Sequence, residues 1–265
     1  MDDYLEINDN NDTSGVKNES LNNISKNDLS YNSQEYDFEK KNNLSTSYNN
    51  SLLLNEELIK NANGETRDFK VILLGNQAVG KTSIFNKFTT GEYSNNYHAT
   101  LTVEFRSKLL KLSKNLYAKC TIWDTVGTEK YRSITKQYFH GANGIILIFD
   151  LTEIKTFNDL ESWIKDVKEE CDENTVIYIV GNKSDLKDKR NVSENQIKDF
   201  YSKYGYKYFE TSAKEGTNVL FVFEQLSIDM NYFYEKQKEE YITSQVLARP
   251  STHNDEVNKS QNSCC

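Results

Sequence analysis

Apolar and polar positions divide the chain into three stretches of different texture. From Met1 to about Arg67, isolated apolar residues stand among Asn, Ser, Asp, Glu and Lys with no sustained period. That pattern predicts a disordered extension over residues 1–67. One exception is Leu52–Ile59, where leucines recur at helical spacing; it reads as a transient turn in preference to a partner-docking helix. From Asp68 the pattern becomes periodic. Phe69–Leu74 is a short apolar run closed by Gly75, and Ser83–Phe88 has helical character. Glu104–Leu112 and Leu116–Trp123 predict a hairpin, the second strand placing Leu116, Ala118, Cys120 and Ile122 on one face. Gly144–Phe149 and Val176–Val180 are continuous β-rich runs, suited to strands buried on both faces.

Between those runs, Phe157, Leu160, Trp163, Ile164 and Val167 recur at helical spacing and predict one helix over 157–167. A helix near Ser193–Tyr204, a strand at Lys207–Glu210 and a helix from about Asn218 to beyond Tyr232 follow. After about Lys238 the chain reads as polar and irregular. The alternation predicts an α/β fold: three layers, a mostly parallel six-stranded sheet and helices on both faces. The expected organisation is an extension over 1–67, a domain over 68–231 and a tail over 232–265.

Charge and composition sharpen this division. Residues 1–67 carry 6 basic and 13 acidic side chains, whereas 68–231 carry 22 of each. The acidity belongs to the extension, and no basic footprint for nucleic acid is present. Hydrophobic residues make up only 37% of the 265, consistent with a chain of which part packs no core. No apolar run approaches the ~18 residues needed to cross a bilayer, and the N-terminus has no leader pattern, so the expected compartment is the cytosol. Four cysteines, including the terminal pair Cys264-Cys265, are too scattered for a disulfide framework. The histidines His98, His140 and His253 lack cysteine partners at zinc-ligand spacing.

Two motifs carry chemistry. Gly75-Asn76-Gln77-Ala78-Val79-Gly80-Lys81-Thr82 follows a strand and opens a helix. Loop and helix N–H groups there would cradle phosphates, Lys81 would reach the β/γ oxygens, and the Thr82 hydroxyl would ligate Mg²⁺. Asn182-Lys183-Ser184-Asp185 follows the buried strand ending at Gly181. A carboxylate there can accept from both N1–H and the 2-amino group of guanine, a pair adenine does not offer.

With these motifs in view, the chain resembles a Ras-superfamily GTPase, and within it a Rab, over residues 68–231 and the terminal cysteines. The resemblance adds Thr100 in Ala99-Thr100-Leu101, Asp124-Thr125-Val126-Gly127, and Glu210-Thr211-Ser212-Ala213-Lys214. It implies GTP/GDP and Mg²⁺ as ligands, held by Gly75, Gln77, Ala78, Val79, Gly80, Lys81, Thr82, Ser83, Asn182, Lys183 and Asp185. It implies that Ser212, Ala213 and Lys214 support the guanine and that Tyr93 stacks near it. Thr100 would join the Mg²⁺ shell only with the γ-phosphate present, Asp124 would hold Mg²⁺ through water, and Gly127 would sense the γ-phosphate. Both switch segments would order with GTP and loosen after hydrolysis.

Rab character rests on Leu101–Phe105, Tyr131–Ile134 and Tyr138–Ala142, with Phe105, Trp123 and Tyr138 matching the aromatic triad presented to effectors. Cys264-Cys265 resembles a double-geranylgeranylation signal. The tail has 4 basic against 5 acidic residues, so two lipids would have to do the anchoring. The resemblance implies a monomer whose partners are Rab escort protein, geranylgeranyl transferase, GDP-dissociation inhibitor, an exchange factor, a TBC-type GAP and effectors. The expected place is the cytosolic face of a Golgi or endosomal membrane. The Gln77 loop and the stretch Asp185–Arg190 resemble the Golgi-associated subclass.

Two positions depart from the family. Thr128 stands where a glutamine usually orients the attacking water, and it has no amide to do so. Gln77 stands where small residues are common; it would crowd the γ-phosphate or partly supply the missing amide. Three readings follow: a switch hydrolysing GTP to GDP slowly on its own in membrane traffic, a largely GTP-locked tether, and a soluble P-loop ATPase. Asn182–Asp185 and the terminal cysteines oppose the last.

Overall fold

The computed structural model describes residues 64–95, 99–100, 102–127 and 136–247. Six strands form one sheet in the order β2-β3-β1-β4-β5-β6. These are β1 Glu65–Leu74, β2 Glu104–Lys111, β3 Leu116–Asp124, β4 Gly144–Asp150, β5 Val176–Asn182 and β6 Lys207–Glu210. Only the β2–β3 hairpin is antiparallel, with Glu104 opposite Asp124. The other four pairings are parallel. The helices are α1 Lys81–Thr89, α2 Ile154–Asn158, α3 Leu160–Glu170, α4 Glu194–Tyr204 and α5 Val219–Leu247.

Successive residues of the central strands serve opposite faces. Val71, Leu73, Ile146, Ile148, Tyr178 and Val180 pack with Phe85 and Phe88 of α1 and Phe223 and Leu226 of α5. Ile72, Leu74, Ile145, Leu147, Phe149 and Ile179 pack with Phe157 of α2, Leu160, Trp163 and Val167 of α3, and Ile197 of α4. The sheet is thus sandwiched between two helical layers, as the continuous apolar runs predict.

Three boundaries differ from the sequence reading. β1 begins at Glu65, three residues before the expected domain start, because β3 supplies partners back to Leu116. Arg67 is buried there: its guanidinium donates to Asn231 Oδ1, pairs with Glu235 and lies 4.7 Å from the Tyr234 ring centroid. The single helix expected over 157–167 is two, α2 and α3, parted at Asp159. The tail is not irregular after Lys238, since α5 runs on to Leu247; its Glu, Lys and Gln residues are good helix formers despite lacking an apolar stripe. The Leu52–Ile59 run lies outside the described residues.

Candidate functional site

The loop after β1 sits where the strand order reverses, with β3 on one side of β1 and β4 on the other. Ligands gather at such crevices. A Cβ on Gly75 (φ 139°) would stand 2.0 Å from the Ile148 carbonyl oxygen, and one on Gly80 (φ 99°) would stand 2.3 Å from Asn182 Nδ2. Both positions therefore require glycine, and the loop is pressed onto β4 and β5. Ala78 between them also takes a left-handed φ of 64°. Gly80 gives α1 no side-chain cap, which keeps the first-turn N–H groups available to an anion.

Lys81 follows, only 5% exposed. Its Nζ donates to the carbonyls of Gly75 at 3.0 Å and Asn76 at 2.9 Å. Burial lowers its pKa to about 8, against an opposing pull from Asp124. A buried ammonium whose hydrogen bonds, among the described residues, go to carbonyls is a strong attractor for phosphate. Gly127 closes over it, since a Cβ there would meet Lys81 Nζ at 2.2 Å.

Three side-chain oxygen groups lie beside this lysine. Thr82 Oγ1 donates to Asp124 Oδ2 at 2.6 Å and lies 2.8 Å from Thr100 Oγ1. Asp124 is 1% exposed, and among the described residues its buried Oδ1 has no hydrogen-bond partner. Burial raises its pKa to about 6, opposed by the Thr82 hydrogen bond and by Lys81.

The opposite wall is built around Asn182 at the end of β5. Its Nδ2 donates to the Val79 carbonyl at 2.9 Å, and its Oδ1 accepts from Thr211 Oγ1 and the Ala213 amide, both at 3.2 Å. One carboxamide thereby ties the phosphate loop to the loop after β6. Ser212 Oγ donates to Asp185 Oδ1 at 2.6 Å, and the Lys183 ammonium pairs with Asp150 at 2.5 Å. Lys214 is exposed, Tyr93 lines a groove with Asn86, Thr90, Glu92, Ser94 and Arg106, and Gln77 has an exposed side chain.

A model of the Ras family matches residues 70–232, more than half of the chain. Ras-related protein Rab-25 from Homo sapiens is 37% identical over 179 residues, covering 68% of this chain and 84% of that protein. The chain is a Rab-type small GTPase of the Ras family. Ras-related protein YPTC6 from Chlamydomonas reinhardtii is 39% identical over 169 residues, 64% of this chain and 78% of that protein. Ras-related protein RABA1h from Arabidopsis thaliana is 40% identical over 151 residues, 57% and 69% respectively.

The Mg²⁺ that such a GTPase implies fits the residues present. Thr82, Thr100 and Asp124 are hard oxygen donors, and the orphaned Asp124 Oδ1 is the buried lone pair a dication would satisfy. Bound there, Mg²⁺ would neutralise charge on the phosphate oxygens. The aromatic row of this Rab-type GTPase is continuous. Phe105, 59% exposed, stacks on Trp123 at 4.8 Å, and Trp123 lies 5.4 Å from Tyr138.

The sequence reading missed several supports. Arg190 makes a bidentate pair with Glu210, 2.8 and 2.7 Å, just before the base loop. Asn218 Nδ2 donates to the Glu210 carbonyl at 2.8 Å. Asn76 is held by Asp159 and Trp163. The Arg190 and Asn76 contacts span 20 or more positions, and the Asn218 bond goes to a backbone carbonyl, so spacing carried no signal. Thr128, Leu101, Tyr131–Ile134, Cys264 and Cys265 lie outside the described residues.

Proposed function

We propose that this Rab-type GTPase is a membrane-attached switch of vesicle traffic, cycling between GTP and GDP with Mg²⁺ and hydrolysing slowly on its own. The carrying observation is the unfinished phosphate side of the site. Among the described residues, Lys81 hydrogen-bonds to carbonyls alone and the buried Asp124 Oδ1 has no partner. A metal–phosphate ligand would complete those groups. Ser212 fixes the Asp185 carboxylate, which supports its role in choosing guanine over adenine. Tyr93 stacks near the base, and Lys214 supports it. Phe105, Trp123 and Tyr138 form the effector surface. Cys264 and Cys265 carry the lipids and bind the prenylation and extraction machinery, on a Golgi or endosomal membrane.

Thr128 is the ground for slow turnover. Loss of the water-orienting amide raises the barrier by roughly 1.5–3 kcal/mol, about 10–150-fold in rate. A TBC-type GAP that brings its own glutamine and arginine in trans restores turnover. The test is single-turnover hydrolysis of bound GTP by wild type and Thr128→Gln, with and without such a GAP. Slow wild type, a faster variant and rescue by the GAP support the reading. Equal rates for the two proteins contradict the role given to Thr128. A wild type silent even with the GAP favours the second reading, a GTP-loaded tether, which rests on the same residue.

A further inference from the structure

Asn76 occupies a variable position of the phosphate loop, where the motif itself demands no carboxamide. Both ends of that carboxamide are nevertheless engaged. Trp163 Nε1 of α3 donates to Asn76 Oδ1 at 2.9 Å, and Asn76 Nδ2 donates to Asp159 Oδ2 at 2.6 Å. Trp163 is only 3% exposed, so its indole cannot swing away. Asp159 stands at the N-cap of α3 yet makes no side-chain capping bond. Its backbone is helical there (φ −74°, ψ −10°) and not the extended form of a capping residue, and its carboxylate goes to the loop. The main-chain carbonyl of Asn76 in turn accepts from Lys81 Nζ at 2.9 Å and would lie 2.7 Å from a Cβ on Gly127. One residue therefore joins α3, the phosphate-binding lysine and the entrance to the second switch.

We propose that Asn76, Asp159 and Trp163 are positioning residues that pin the phosphate loop to α3 and set how fast nucleotide leaves the site. This deepens the GTPase reading and rests on it. Two hydrogen bonds at opposite ends of a planar amide fix its orientation, and rotating the Asn76 backbone breaks both. With nucleotide bound, the pin holds the loop closed over phosphate, so opening it costs both hydrogen bonds. Once released, the loop and Lys81 spread over other arrangements, and nucleotide escapes sooner.

The test is dissociation of a fluorescent GDP analogue from the full chain in Mg²⁺. N76D sets two carboxylates face to face and speeds release about 10-fold. Adding D159N rebuilds the hydrogen bond with donor and acceptor exchanged, and returns the rate to within about 3-fold of wild type. W163F, which keeps the buried ring but loses the N–H, speeds release by roughly 3–10-fold, and it adds nothing further to N76A. Simple structural damage would be neither rescued nor non-additive. Release from N76D at the wild-type rate, or N76D/D159N as fast as N76D alone, overturns the triad while leaving the GTPase reading intact. A wild type that binds no guanine nucleotide overturns both.

Discussion

The two walls of the nucleotide site are built on opposite principles. On the base side the protein satisfies itself: Asn182 serves Val79, Thr211 and Ala213, Ser212 serves Asp185, and Arg190 clamps Glu210. On the phosphate side it does not. Among the described residues, Lys81 hydrogen-bonds to carbonyls alone, the Thr82 and Thr100 hydroxyls bond each other, and Asp124 Oδ1 has no partner. A wall closed by its own hydrogen bonds is preformed and gives specificity. A wall whose buried polar groups lack hydrogen-bond partners among the described residues is one a ligand would complete, and on the proposed function that ligand is phosphate with its metal.

The largest effect should come from the unfinished wall. Lys81→Ala removes the buried cation and should weaken GDP binding by about 3–4 kcal/mol, several hundred-fold by equilibrium titration. Asn182→Ala attacks the finished wall. It strands the Val79 carbonyl and the Ala213 amide, and should cost about 2–3 kcal/mol of fold stability in chemical denaturation even without nucleotide. If Asn182→Ala left the ligand-free fold untouched, the contrast between the walls would fail. Chelating Mg²⁺ should speed GDP release about 10–30-fold in stopped flow and leave the ligand-free protein's melting unchanged.

The smallest effect belongs to Arg190→Ala. Its pair with Glu210 is half-exposed, so the loss should stay at or below about 1 kcal/mol. Burial works to raise the Glu210 pKa, but hydrogen bonds from Arg190 and Tyr208 outweigh it, and the net shift is downward. A carboxylate held below its unfolded value of about 4.3 stabilises the fold above that pH. That contribution fades as pH falls through the lower folded value. Acid denaturation of Arg190→Ala should therefore lose part of this dependence below about pH 4.3.

The contrast also explains what was legible in sequence. β4 and β5 were plain because strands buried on both faces read as unbroken apolar runs. The two motifs stood out because each is a local pattern at a strand end, and the structure sets them after β1 and at the end of β5. What escaped depends on partners far along the chain. Asp159 breaks the expected helix while its carboxylate is drawn to Asn76, 83 positions earlier. Arg67 looks like a surface charge until Asn231 and Glu235 of α5 bury it. The far end of α5 escaped for another reason: no apolar period announces it.

The most direct measurement is amide hydrogen exchange on the full chain, stripped of nucleotide by chelation and then reloaded with Mg²⁺ and GDP. Residues 75–83 and 124–127 should gain strong protection on loading. Residues 182–185 and 211–217 should already be protected in the stripped protein and change little. Equal gains on both walls, or a base wall open until nucleotide arrives, would contradict the division between a preformed half and a half completed by its ligand.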